Sequence, residues 1–171
     1  PRGFARRGPG RLARGGANRG VVWPPPQPGA AGPAAGLGPL HRLPQGLTSS
    51  LTEPLSDAGL EVTGLDRLTG LAEYRNGGLL IDTGLLRLRD PDSARALWRP
   101  GDEIIVEWRA LTVALMDEVA TAVRRQLKLD EVRLPLARVL EGGSWAAGRE
   151  LARRHRDGLP PLRVASDGTV F

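Results

Sequence analysis

The sequence predicts a mainly α fold: a helical domain with a short extended tail at its C-terminus, preceded by a disordered N-terminal segment. Three observations carry this expectation. Residues Glu103 to about Leu127 hold apolar side chains at helical spacing. A second helical pattern covers Leu134 to Arg156. Glycine and proline crowd into the first 40 residues, leaving the remainder free for regular structure.

Residues 1–40 carry ten Gly, eight Pro and six Arg, with VVW at 21–23 as their one apolar cluster. Such a segment cannot bury enough surface to offset its ordering entropy. It is therefore predicted to be disordered, and the folded domain to span 41–171. An Arg/Gly-rich RNA-binding arm would need interleaved aromatics, and only Phe4 and Trp23 are present, so the pattern argues against nucleic acid. Decayed or misassigned coding sequence is a third reading of this segment.

Leu47, Leu51 and Leu55 recur at four-residue spacing, a helix with one narrow apolar stripe that Gly59 would end. Thr63 to Asp66 resembles a capping box and starts a turn. Leu71 to Leu86 reads as helical, although Gly77, Gly78 and Gly84 each weaken it by roughly 1 kcal/mol. Asp90-Pro91 reads as a cap plus first-turn proline, opening a short helix through Trp98.

The central helix opens after Gly101-Asp102. Ile104, Trp108, Leu111, Leu115, Val119 and Ala122 form one face, and Val106, Ala110, Val113 and Ala120 the opposite one. A helix apolar all round is buried on most sides, so this one is expected at the centre of the domain. Arg124, Arg125 and Lys128 suit its C-terminal dipole. In the next helix Leu136, Leu140, Gly143, Ala147 and Leu151 would share the inner face. Gly142 and Gly143 would break it or admit a close backbone or ligand. The ending LRVASDGTVF alternates and holds an Asp-Gly pair at 167–168, which suggests a small hairpin or extended tail.

Composition narrows the function classes. The formal charge is +5, but residues 1–52 hold seven arginines and no acid, so the rest is close to neutral. The chain has 23 arginines and one lysine, a bias that fits a GC-rich genome as well as phosphate binding. No cysteine and only two histidines, His41 and His155, argue against a metal site or a disulfide, and no cofactor is expected. No apolar run approaches the roughly 20 residues of a membrane span, and no secretory signal is read, so no membrane partner and a cytoplasmic location are expected. Pro1 in place of Met reads as a fragment or a processed product.

The stretch LTGLAEYRNGGLLIDTG, residues 68–84, is the richest in chemistry. Glu73, Tyr74, Arg75 and Asn76 stand in one run beside Leu79, Leu80 and Ile81. Burying such groups costs several kcal/mol unless they are paired, so they form a structural polar network or the wall of a polar ligand site. Glu107 and Arg109 lie within the central helix and read as an internal salt bridge or as part of the same wall. Glu141, before two glycines, is either a solvated helix-end acid or a third site carboxylate. Asp82 is a cap or a site acid. Ser144 lacks a nucleophile context, and Arg153, Arg154, His155 and Arg156 read as a solvated face.

Several ordered strings carry a resemblance. HRLPQGLTSSLTEPL, LTGLAEYRNGGLLIDTG, GDEIIVEWRALTVALMDEV, LARVLEGGSWAAG and PPLRVASDGTVF resemble the C-terminal part of the uracil catabolism protein 4 family, over residues 41–171. Family members are much longer, which implies a missing N-terminal region, and residues 1–40 do not resemble them. Gly46 and Ser49 depart from the family pattern, where aromatic residues stand, and this puts the first helix in question. LAEYRNGGLLIDTGLL, VEWRALTVALMDEV and VLEGGSWAAGREL are, more faintly, similar to queuosine-salvage nucleosidases, which implies a fold related to DNA glycosylases. On that likeness Glu73 and Glu141 match two acids of an N-glycosidic hydrolase and are the expected catalytic pair. Tyr74, Trp108 or Trp145 would stack on a planar group, and Arg75 or Arg109 would hold a 5′-phosphate. Asn76, Glu107 and Arg109 complete the expected substrate-binding set. The implied role is in pyrimidine catabolism, as an N-ribosyl hydrolase acting on a small nucleoside-like or nucleotide-like molecule. The alternatives are a non-catalytic binding or assembly protein of the same pathway and an inactive truncated fragment.

Overall fold

The computed structural model describes residues 4–5, 21–22, 38–39, 42–65 and 68–165, with side chains from residue 46 onward. The expected disorder of 1–40 and the Asp-Gly turn at 167–168 lie outside the described residues, apart from three short strands. Two of these, β2 (Val21–Val22) and β3 (Gly38–Pro39), pair antiparallel. The third, β1 (Phe4–Ala5), pairs antiparallel with β4 (Arg87–Leu88). The fold is mainly α, as the sequence predicts.

Helix α1 runs Arg42–Asp57. It starts earlier than its leucine stripe suggests and forms despite small residues at Gly46 and Ser49. Gly59, at φ +81, ends it as expected, and the Leu60 amide reaches back to the Leu55 carbonyl at 3.0 Å. Its stripe faces outward: Leu47, Leu51 and Leu55 are 62%, 44% and 39% exposed. Arg138 reaches Glu53 on this helix at 3.4 Å. Part of the Thr63–Asp66 capping motif falls outside the described residues.

Helix α2 is Tyr74–Asp82, shorter at both ends than the helical pattern. Glu73 fixes the start, because its side chain accepts the free amides of the first turn. Thr83 and Gly84, at φ +73, fix the end, and the Leu86 amide bonds the Leu80 carbonyl at 2.8 Å. The expected helix from Asp90 to Trp98 is only one 3₁₀ turn, Pro91–Ala94. Strand β5 (Leu97–Trp98) takes over instead, since its backbone finds a partner in β6 (Arg163–Val164), paired in parallel. The C-terminal segment is thus extended through residue 164, but by pairing with a distant strand.

Helix α3 is Glu103–Leu127, the limits read from the sequence. Ile104, Ile105, Trp108, Leu111, Leu115 and Met116 pack with Leu80, Leu86, Leu140 and Leu162 in the core. Burial covers one broad side of α3. The far third is largely exposed, with Leu127 at 57%. The expectation of burial on most sides therefore holds only for the first turns, where α2 and the last helix cover it.

That last helix has three parts: α4 (Leu136–Arg138), a π turn (Val139–Trp145) and α5 (Ala146–Arg156). The Gly142-Gly143 pair does not break the helix; it widens it. A π turn closes i to i+5 and so holds an extra residue. That residue shifts the inner face by one position. Ser144, Gly148 and Ala152 are buried where Gly143, Ala147 and Leu151 were expected.

Two glycines bring the helices into contact. A methyl at Gly148 would lie 2.1 Å from the Arg75 carbonyl oxygen, so α5 meets α2 backbone to backbone. A methyl at Gly77 would lie 2.6 Å from Thr112 Oγ1, and the Trp108 indole donates to the Gly77 carbonyl at 3.0 Å. At the far ends, Arg156 bonds Asp82 at 2.6 Å. Asp82 is therefore a helix-to-helix ion pair, with its side chain 3% exposed, and α2 and α5 run side by side in the same direction.

Gly148→Ala should cost at least about 1–3 kcal/mol in urea unfolding, because backbone has no room to yield. Gly142→Ala, which would touch nothing within 4 Å, should gain up to about 1 kcal/mol from helix propensity. A neutral Gly148→Ala would contradict the α2–α5 packing.

Candidate functional site

The start of α2 sets the geometry. Glu73 has extended backbone (φ −121, ψ 141), and its Oε2 accepts from the amides of Arg75 at 2.9 Å and Asn76 at 3.3 Å. Glu73 is 2% exposed. A negative cap here meets the positive end of the helix dipole.

Asn76, one turn into α2, is fully buried, and its Oδ1 accepts from the Ser144 hydroxyl at 2.9 Å. This bond ties α2 to the π turn. Ser144 also lies 3.3 Å from the Leu140 carbonyl. Asn76 Nδ2 has no hydrogen-bond partner among the described residues. Exchanging the amide oxygen and nitrogen would satisfy the nitrogen and strand the oxygen, because Ser144 has one proton to give. Either way one polar atom of this amide is unmatched in a buried position, which costs about 1–3 kcal/mol.

Arginine and aromatic side chains surround this junction. The Arg75 guanidinium lies 4.9 Å from the Tyr74 ring centroid and 5.6 Å from that of Trp145. Arg149 stacks on Trp145 at 4.4 Å. These contacts fall within cation–π range. Tyr74, Arg75 and Trp145 are half-buried, so the cluster reaches the surface.

The structure therefore gathers Glu73, Tyr74, Arg75, Asn76 and Trp145 around one junction. The rest of the expected set is placed differently. Arg109 is fully buried beside Trp108, and desolvation holds its pKa below the ordinary arginine value. Glu107, two residues earlier and roughly 200° round the helix, is half-buried on another side. Trp108 is fully buried and holds α2, so it is no stacking surface. Glu141 is exposed on the π turn. The three acids thus occupy three different environments and do not share one dry cleft. His155, Arg153 and Arg154 are exposed as expected, and the two arginines pair with Glu150.

Sequence reasoning missed Ser144 and Arg149. Arg149 was detectable, since it stands four residues after Trp145 on one helix. Ser144 was not, because the π turn moves it inward. A surface depression of about 410 Å³ lies elsewhere, along Asp117, Glu118, Thr121, Ala122 and Arg125 of α3, and gathers none of the expected site residues.

The family described as "Protein of unknown function (DUF1688)" matches residues 4–171. The chain belongs to this family. The DUF1688 match begins well before residue 41, so it takes in the Gly/Pro/Arg-rich segment that the motifs left outside. Protein urg3 of Schizosaccharomyces pombe (strain 972 / ATCC 24843) is 43% identical over 137 residues, covering 78% of this chain and 34% of the relative. Uracil catabolism protein 4 of Lachancea kluyveri is 41% identical over 150 residues, covering 77% of this chain and 34% of the relative. The chain thus spans about a third of the length of both relatives. No solved structure matches it. Among the described residues, no helix is long and apolar enough to cross a membrane.

A double-mutant cycle tests the junction. Ser144→Ala alone should cost about 1–3 kcal/mol in chemical denaturation, because it strands the buried Asn76 amide. Adding Asn76→Ala should cost less than the sum of the two single changes, with a coupling of about 0.5–1.5 kcal/mol. Strict additivity would rule out the bond as a tie between α2 and the π turn.

Proposed function

We propose that this chain is part of a protein of uracil catabolism. Its α2–π-turn junction then binds a ribosylated pyrimidine or ribosylurea and supports hydrolysis of the N-ribosidic bond. The Asn76–Ser144 bond carries this reading, because it holds Glu73, Tyr74 and Arg75 against the turn that bears Glu141 and Trp145. The name of the Lachancea kluyveri relative supports the pathway. The motif likeness to nucleosidases supports the reaction class.

Cleavage of an N-ribosidic bond passes through an oxocarbenium-like state that a nearby carboxylate stabilises. Glu73, buried at the helix start, is the carboxyl placed to supply that field. Glu141, in contact with solvent, is suited to taking a proton from the attacking water. Trp145 and Tyr74 line the junction, and a planar base or ureido group would stack there beside or in place of the arginines that now lie over both rings. The C1′–N bond breaks as the water oxygen bonds C1′, and the departing nitrogen takes its proton from solvent, which reaches the turn at exposed Glu141.

A second reading, non-catalytic binding, is favoured by one observation: Glu73 already spends one oxygen on capping α2. The intact protein should be incubated with uridine, ribosylurea and their 5′-phosphates while release of uracil or urea is followed. Glu141→Gln should lower the rate about 10²–10⁴-fold and leave the melting temperature unchanged. Tight binding with no release from any compound would favour the second reading and remove hydrolysis.

A further inference from the structure

We propose that Arg75 and Arg149, set around Trp145, form an anion subsite that takes the phosphate monoester of a ribosylated substrate. The word "ribosylated" rests on the function proposed above; the anion chemistry does not.

Neither arginine has a carboxylate partner among the described residues. Their neighbours do: Arg138 pairs with Glu53, Arg153 and Arg154 with Glu150, and Arg156 with Asp82. Two guanidiniums without acids, both within cation–π range of one indole, leave a local excess of positive charge. Contact with the indole also holds both guanidiniums near it. A guanidinium lying on a ring keeps its N–H edge free, and that edge matches the oxygens of a phosphate.

The surroundings favour a bulky anion. Gly142 and Gly143 are exposed, and a methyl on either would meet nothing within 4 Å, so the π turn presents open backbone beside Trp145. The unmatched Asn76 amide faces the same turn through its bond to Ser144. Glu141 is the acid of this turn and repels an anion, so a dianion needs both cations to bind. Two guanidiniums match the charge of a phosphate monoester better than that of a carboxylate. Arg109, the other arginine expected to hold phosphate, is fully buried and cannot reach a ligand at the surface.

The test uses the intact protein and calorimetric titration with ribose 5-phosphate, ribose and inorganic phosphate. Ribose 5-phosphate should bind at least tenfold more tightly than ribose, with affinity that falls as salt rises. Arg149→Ala, a surface change, should weaken it at least tenfold with an unaltered melting temperature. Arg149→Lys should recover only part, because it keeps the charge and loses the fork. The assignment is overturned if ribose binds as well as its phosphate, or if Arg149→Ala and Arg75→Ala both leave affinity unchanged in folded protein. Equal affinity for inorganic phosphate and ribose 5-phosphate would also overturn it, since the subsite would then read free phosphate. Arg149-dependent binding without hydrolysis of any compound keeps the subsite and sinks the hydrolase. Equal hydrolysis of phosphorylated and unphosphorylated compounds does the reverse.

Discussion

The close approach of α5 to α2 governs this structure. Gly148 has no side chain, so the helix can lie against the Arg75 carbonyl. At that separation Ser144 reaches Asn76, Trp145 reaches Arg75, and Arg156 reaches Asp82. Gly77 does the same toward α3, where the Trp108 indole bonds its carbonyl. Helix α2 is a poor helix by propensity, with two interior glycines. Those glycines are tolerated because α3 fills the space at Gly77 and Pro161, beyond the last helix, packs at Gly78. Tertiary packing supplies what the local sequence withholds.

The same closeness explains the polar interior. Glu73, Asn76, Arg109, Thr112 and Ser144 are all buried. Groups of this kind are costly without partners, and most find one: Glu73 in the amides of α2, Thr112 in the Trp108 carbonyl, Ser144 in Asn76. The Asn76 amide keeps one atom unmatched among the described residues. The unmatched atom lies next to the arginine–aromatic cluster of Arg75, Trp145 and Arg149.

Family membership and site geometry bear on different questions. The match to DUF1688 fixes what the chain is related to, and its relatives are about three times as long as the stretch they share with it. The geometry shows which side chains are available to a ligand: Tyr74, Arg75, Trp145, Glu141 and Arg149 reach the surface, whereas Trp108 and Arg109 do not. Arguments about binding therefore belong to the first group, and arguments about stability to the second.

The sequence alone determined the class of the fold, the limits of α3, the glycine that ends α1 and the polar run at the start of α2. These are local matters. Helix periodicity, caps and glycines act within a few residues, so they can be read without knowing what lies across the core. Tertiary structure decided the rest. It chose which side of α3 to bury, and so put Arg109 in the core and left Glu107 half-buried. It turned Leu97–Trp98 into a strand by offering β6 as a partner. It also placed one extra residue in the π turn, which moved Ser144 inward, left Glu141 in solvent and set Trp145 beside Arg75. Each of these outcomes depends on contacts between residues distant in the chain, and a burial pattern shifted by one position looks the same in a sequence until the opposing helix is in place.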